Sequence, residues 1–261
     1  MVWIVGHRGA PANEPENTFP SYERAEADGA TALEIDICVT ADDELLVWHD
    51  CHPAALEARL RRWNLEPQTK YCPRRFERPV RAMTLAEARA SLGYEDVDVH
   101  LPTLGEVFEW SHAHRRIGQL FIDVKLTASN AHLVPVVLRR LSQLPRPSFD
   151  VVLECAEVKI ASELRRLGAR WPVGLDVWKK KSLEQAFRLG VEWTCAQKPR
   201  PVQWPFPFAR LRSVIRRAPS KMVCAFNIND EQEMRQLIDM GVDAIMTDRP
   251  DVLAASVRAL S

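Results

Sequence analysis

No stretch of 18 apolar residues occurs in this 261-residue chain, which excludes a membrane-spanning helix of ordinary length. Net charge is lacking as well. Lys plus Arg and Asp plus Glu both number 35, so no global field draws the chain to nucleic acid or to an anionic membrane surface. No G-x-G-x-x-G and no P-loop follows any apolar run, so nothing favours the nucleotide-binding version of a doubly wound open α/β sheet, the runner-up architecture. The chain shows no internal repeat, low-complexity tract or linker, so one domain over residues 1–261 is expected. Six cysteines (Cys38, Cys51, Cys72, Cys155, Cys195 and Cys224) are scattered without a C-x-x-C pair. That spacing argues against a zinc site and a disulfide framework, and predicts buried or incidental thiols in a reducing compartment. From Met1 the chain runs straight into an apolar stretch without a charged leader, and a cytoplasmic location with no stable membrane insertion is expected on that ground.

Hydrophobic residues make up 46% of the chain, enough for one large core. Short β-branched or apolar runs recur at 2–5, 33–39, 45–48, 120–124, 151–153, 173–177, 191–195, 222–226 and 244–246. Between several of them lie stretches of helical spacing closed by glycine: 84–92 before Gly93, 158–167 before Gly168 and 230–240 before Gly241. Strand and helix in alternation imply a parallel sheet. At this length, closure into a TIM-like (β/α)8 barrel is the economical outcome, because it removes both sheet edges. Only Thr40 to Glu44 separate the second and third runs, too few for a helical crossover. Either that crossover is irregular and extended, or the two runs are not parallel neighbours. The Arg- and Pro-rich stretch 51–81 reads as an excursion over the barrel mouth, with a helix expected within Ala54 to Trp63.

Polar residues collect at the strand ends: His7 and Arg8, Glu34 and Asp36, His49 and Asp50, then Asp123 and Lys125. Residues i and i+2 of a strand share a face, so Glu34 with Asp36 offers two carboxylates together, and Asp123 with Lys125 repeats the geometry with opposite charges. Three convergent carboxylates are tolerable when a hard cation such as Mg²⁺ or Ca²⁺ neutralises them. His7 and His49 are then free for proton transfer, and Arg8 and Lys125 supply charge for a phosphate. Each feature alone has a plainer reading, an edge-strand salt bridge or a loop hydrogen bond; their occurrence together on the carboxyl ends of parallel strands points to one site.

The segments His7-Arg8-Gly9-Ala10, Pro15-Glu16-Asn17-Thr18, Glu34-Ile35-Asp36 and His49-Asp50 resemble, in order, the amino-terminal signature of glycerophosphodiester phosphodiesterases. Leu101-Pro102-Thr103-Leu104, Asp123-Val124-Lys125 and Gly241 to Pro250 are similar to later segments of that family. The resemblance implies His7 and His49 as the acid–base pair, Glu34, Asp36 and Asp123 as ligands of one divalent metal ion, and Arg8 and Lys125 on the phosphate. It also implies Phe226 lining the pocket where the family commonly has Trp, and a small-molecule phosphodiester as the partner, with no nucleic acid. Glu16 and Asn17 read as supports for His7 and the metal ligands, or as the capped start of a helix. The sequence departs from the family after Asp50, where Cys51-His52-Pro53 begins a different covering segment, and at Asp123, where Glu is more frequent. It departs again at Glu154, an extra acid at the fifth strand's end near the barrel mouth, for which a contact to metal or a substrate hydroxyl is one reading among others. A lysophospholipase D-type substrate and a non-catalytic phosphodiester-binding barrel stand as alternatives.

Overall fold

The computed structural model describes residues 2–63, 69–178, 180–197 and 222–260. Eight strands run parallel and close on themselves: β1 (Trp3–His7), β2 (Ala32–Val39), β4 (Gln119–Val124), β5 (Asp150–Cys155), β6 (Val173–Val177), β7 (Trp193–Gln197), β8 (Met222–Phe226) and β9 (Ala244–Thr247). Closure is made by β1, which pairs in parallel with both β2 and β9. The intervening run β3 (Leu45–Val47) is antiparallel to β2, with Ile37 opposite Val47 and Val39 opposite Leu45. The irregular crossover expected between the second and third runs is therefore a hairpin. Its turn holds Asp43 at φ 64°, and the crossover to the next barrel strand, β4, spans the whole of 40–118.

The helices begin and end where side chains can satisfy their free backbone groups. Thr84 and Glu87 form a capping box at the helix Leu85–Ser91, and Thr103 and Glu106 form another at Leu104–Trp110. Asp230 caps Glu231–Met240, which stops at Gly241 with φ 76°, a conformation glycine adopts without a Cβ clash. The 51–81 excursion carries the expected helix at Pro53–Leu60, and Leu56, Phe76 and Val80 from this segment pack with Trp48, Met83 and Tyr94 in a buried cluster beside β3. No helix among the described residues is long and apolar enough to cross a membrane.

The expectation of unpaired cysteines fails at two positions: Cys38 and Cys51 are joined by a disulfide, with Cα atoms 5.6 Å apart. Sequence spacing could not reveal it, because the β2–β3 hairpin folds the chain back and brings Cys51 over β2. Cys72, Cys155, Cys195 and Cys224 are free.

Alternation along the strands builds the site. Inward positions start apolar at the amino ends, with Val5, Ala32, Phe121, Val152 and Trp193 in one buried cluster. Two residues further on, the same faces turn polar, at His7, Glu34, Asp123, Glu154 and Cys195. The barrel is thus packed below and charged above, at the carboxyl ends of its strands.

Gly9 docks the turn after β1 onto the helix Phe19–Ala27. It has φ +95°, and a Cβ there would lie 2.3 Å from Ser21 Oγ and 2.6 Å from the Ser21 carbonyl carbon. Gly9→Ala is therefore expected to destabilise the fold by about 1–3 kcal/mol, read as a lowered denaturant midpoint; an unchanged midpoint would contradict this packing.

Candidate active site

Glu34 and Asp36 on β2 and Asp123 on β4 bring one carboxylate oxygen each to within 4.8 Å of one another. Asp36 and Asp123 are register partners on hydrogen-bonded strands. Glu34 and Asp36 are 3% and 1% exposed. Burial, and then the charge of Asp36, push the Glu34 carboxyl well up. Burial pushes Asp36 up too, but Arg8 and Lys125 overcome it and hold that carboxyl well below the usual range. A hard-oxygen set with two buried members and a half-buried third, one of them strained toward protonation, fits a divalent cation. Two ligand oxygens on one Ca²⁺ stand up to about 5 Å apart, given bonds of about 2.3–2.6 Å, and the observed spacing lies within that reach.

His7 ends β1 with its imidazole between acids. Nδ1 lies 2.6 Å from Asp248 Oδ1, and Nε2 lies 4.0 Å from Glu34 Oε2. Asn227 Nδ2 approaches the same ring at 3.0 Å. Asp248 is held in turn by Asn229, whose Oδ1 accepts from the Asp248 backbone N–H at 2.9 Å and from Thr247 Oγ1 at 2.9 Å. Burial would raise the Asp248 carboxyl, yet His7 and Asn229 keep it low.

Arg8 is turned by a left-handed backbone, φ 56°, so that its N–H donates to both the carbonyl and Oε2 of Glu34. Its guanidinium lies 2.9 Å from Asp36 Oδ2 and 3.1 Å from Glu16 Oε2. Asn17, also left-handed at φ 58°, donates from Nδ2 to Asp36 Oδ2 at 2.7 Å and accepts from the Asp36 N–H at 3.2 Å. Asn17 thus braces the Asp36 carboxylate from its side chain. Thr18 stands at the helix N-cap position, but its hydroxyl donates to Pro15 rather than capping the helix. Lys125 Nζ lies 2.8 Å from Asp36 Oδ1 and bonds Asp123 Oδ2; burial opposes its charge, and the two carboxylates restore it.

His49 follows β3, with Nδ1 3.0 Å from Asp50 Oδ1. Burial pushes its imidazole down, and the nearby charges of Arg8 and Lys125 push it further. Asp50 is gripped by Arg59, which also holds Glu16 through both guanidinium nitrogens at 2.6 Å. One buried relay therefore runs from Asp36 through Arg8, Glu16, Arg59 and Asp50 to His49.

Phe226 ends β8 half-buried against the barrel interior, next to Asn227. Glu154 is buried beside Asp123, its register partner, and faces Asp176, an inward acid on β6 that it can bond only through a shared proton. Burial drives Glu154 well up and, with Asp123, pushes Asp176 up to about 7. Cys51 and His52, read as loop residues, serve as a disulfide partner and as the cap accepting from the Ala54 N–H. Arg139 and Arg140 pair with Asp43 and Glu44, and Arg165 and Arg166 with Glu192 and Glu163; Arg216 and Arg217 lie outside the described residues.

Sequence reasoning missed Asp248, Arg59, Asn227 and Asp176 as site residues. Asp248 carried a signal, its place just past a strand end. Arg59 carried none, because its partners Glu16 and Asp50 meet it only after the excursion folds back.

The family model described as Glycerophosphoryl diester phosphodiesterase family matches residues 7–252. A glycerophosphodiester phosphodiesterase of Caldanaerobacter subterraneus is 24% identical over 268 residues, covering 98% of this chain and 97% of the relative. The solved structure of an Oleispira antarctica phosphodiesterase in complex with the product sn-glycerol-3-phosphate superposes with a TM-score of 0.73 at 18% identity, covering 97% of this chain and 96% of that one. A Thermotoga maritima glycerophosphodiester phosphodiesterase superposes with a TM-score of 0.66 at 17% identity, covering 98% of each chain. These superpositions show a shared barrel fold.

Proposed function

The chain belongs to the glycerophosphoryl diester phosphodiesterase family, and from that premise we propose that its barrel hydrolyses glycerophosphodiesters to glycerol phosphate and an alcohol. Glu34, Asp36 and Asp123 hold one divalent cation, Mg²⁺ or Ca²⁺, in this reading. The observation that carries it is the convergence of these three acids beside a histidine whose far nitrogen is already pinned by an acid. When bound, the cation supplies Lewis-acid polarisation of a non-bridging phosphate oxygen.

The remaining work falls to side chains of this chain. Asp248 on Nδ1 favours the His7 tautomer whose Nε2 lone pair faces the metal ligands, which suits His7 as the base that takes a proton from the attacking hydroxyl. His49, oriented by Asp50, is in this reading the acid that protonates the leaving alkoxide; burial and two neighbouring cations make its imidazolium a stronger acid but a scarcer one as pH rises. Arg8, buried, and Lys125, half-buried, are cations flanking Asp36; they balance charge gathered at phosphorus. Phe226 offers an apolar wall to the glycerol or headgroup.

The test is a panel of glycerophosphocholine, glycerophosphoethanolamine and lysophosphatidylcholine, assayed after EDTA treatment and after restoring Mg²⁺, Ca²⁺ or Mn²⁺. Hydrolysis of the deacylated diesters is expected to fall at least about tenfold on chelation and to return with metal. Full activity in excess EDTA would refute the metal-assisted reading. Preference for the acylated substrate would move the assignment to a lysophospholipase D-type activity, with the excursion as a lipid-facing lid.

A further inference from the structure

Beyond the Glu34–Asp36–Asp123 set, the described residues bring together a second group with ligand atoms within 4.8 Å of one another: Glu154, Asp176 and Cys195. They occupy inward positions on three successive strands, with Asp176 and Cys195 in register. In the strand order of the closed barrel, β6 lies across from β1, so Asp176 stands opposite His7.

Glu154 is 3% exposed and Asp176 8%, and each keeps an oxygen, Oε2 and Oδ1, that is dry and has no hydrogen-bond partner. Orphaned carboxylate oxygens at that depth are costly unless something cationic or protic sits on them. The fixed cations are engaged elsewhere: Lys125 bonds Asp36 and Asp123, and Arg8 pairs with Asp36 and Glu16. Five inward carboxylates (Glu34, Asp36, Asp123, Glu154 and Asp176) thus face two basic side chains, so if all five were ionised one divalent ion would still leave that layer one charge short of neutral.

We propose that Glu154, Asp176 and Cys195 form a second cation site, taking a borderline divalent ion such as Zn²⁺ in preference to Mg²⁺ or Ca²⁺. The thiol sets this preference. Carboxylates alone would suit a hard ion, whereas a thiolate ligand selects softer metals. Binding releases the Cys195 proton and any proton shared by the two carboxyls, so affinity rises with pH. The competing occupant is a proton shared between Glu154 and Asp176, which leaves Cys195 without a role.

Co²⁺, a spectroscopic substitute for Zn²⁺, separates the two. The full chain, stripped of metal and held in excess Mg²⁺ to fill the first site, is titrated with Co²⁺. One equivalent is expected to bind with a thiolate-to-cobalt charge-transfer band in the near ultraviolet. Cys195→Ser should abolish the band, Glu154→Gln should weaken cobalt binding by about tenfold or more, and Cys224→Ser should keep the band. Asp36→Asn, aimed at the first site, should also keep it, which separates failure of this proposal from failure of the hydrolytic reading. Absence of the band in the unaltered protein, or its survival in Cys195→Ser, overturns the proposal. If Cys195→Ser does not fold, undiminished cobalt affinity in Glu154→Gln overturns it.

Discussion

Replacing His7 by alanine is expected to lower kcat/KM for glycerophosphocholine by about 10²- to 10⁴-fold, with KM little changed. The ring stands between Asp248 and Glu34, 2.6 and 4.0 Å away, and the proposed mechanism gives it a role in the reacting state rather than in holding substrate. Asp248→Asn tests the same point more finely. An amide can keep the contact but presents Nδ1 with a donor as readily as an acceptor, so the tautomer is no longer selected; kcat should fall while KM stays put. Wild-type turnover in His7→Ala would remove the acid–base pair from the mechanism. In the proposed mechanism His49 would contribute the other limb of the pH profile. Its imidazole is depressed by burial, Arg8 and Lys125, so the limb that reports it should lie below the ordinary histidine value of about 6.5, and it should disappear in His49→Ala.

The second large effect lies away from the reacting atoms. Arg59 is 4% exposed and bonds two acids buried to 3% and 1%, Glu16 and Asp50. Arg59→Met would leave both carboxylates short of a partner, a loss of about 3–5 kcal/mol and, in a chain of this size, roughly 6–20 °C in Tm. Arg59→Lys should rescue little, since an ammonium cannot reproduce the forked contact with Glu16. The variant should also turn over more slowly at unchanged KM, because Asp50 no longer holds His49 in place.

The pH dependence of stability follows from the same contact. Burial would raise the Glu16 carboxyl, but Arg59 and Arg8 hold it far below the ordinary value. A carboxyl depressed in the folded state binds fewer protons folded than unfolded over the interval between its two pKa values. Its contribution is therefore complete above about pH 4.5 and drains away as pH falls below that. Urea titrations from pH 7 down to pH 3 should show stability dropping below pH 4.5, with a shallower drop in Glu16→Gln. Equal slopes in the two proteins would show that Glu16 titrates normally.

Much of the fold was legible because it rests on local rules. Inward and outward residues alternate along each strand, and capped, glycine-terminated helices recur between them, so the order of elements followed from periods of 2 and 3.6 residues. Strand ends shifted by a residue or two: β1 runs on through His7, and β7 through Gln197. The pairing of Glu34 with Asp36, two of the proposed metal ligands, was readable for the same reason, since an i, i+2 pair on a strand must share a face. Glu34 with Asp36 needs no tertiary information to point together.

What the sequence by itself determined is therefore the parallel barrel and the residues on the carboxyl ends of its strands, because each depends on neighbours within a few positions. Tertiary structure alone decided the β2–β3 hairpin, the Cys38–Cys51 disulfide, the relay from Asp36 to His49 through Arg59, and the meeting of Glu154, Asp176 and Cys195. Those depend on which distant segments come within 3 to 5 Å after closure, and no local period encodes that distance. Burial then does the chemical sorting: the same carboxylate is pushed up at Glu34 and held down at Asp36, according to the charges that folding delivers beside it.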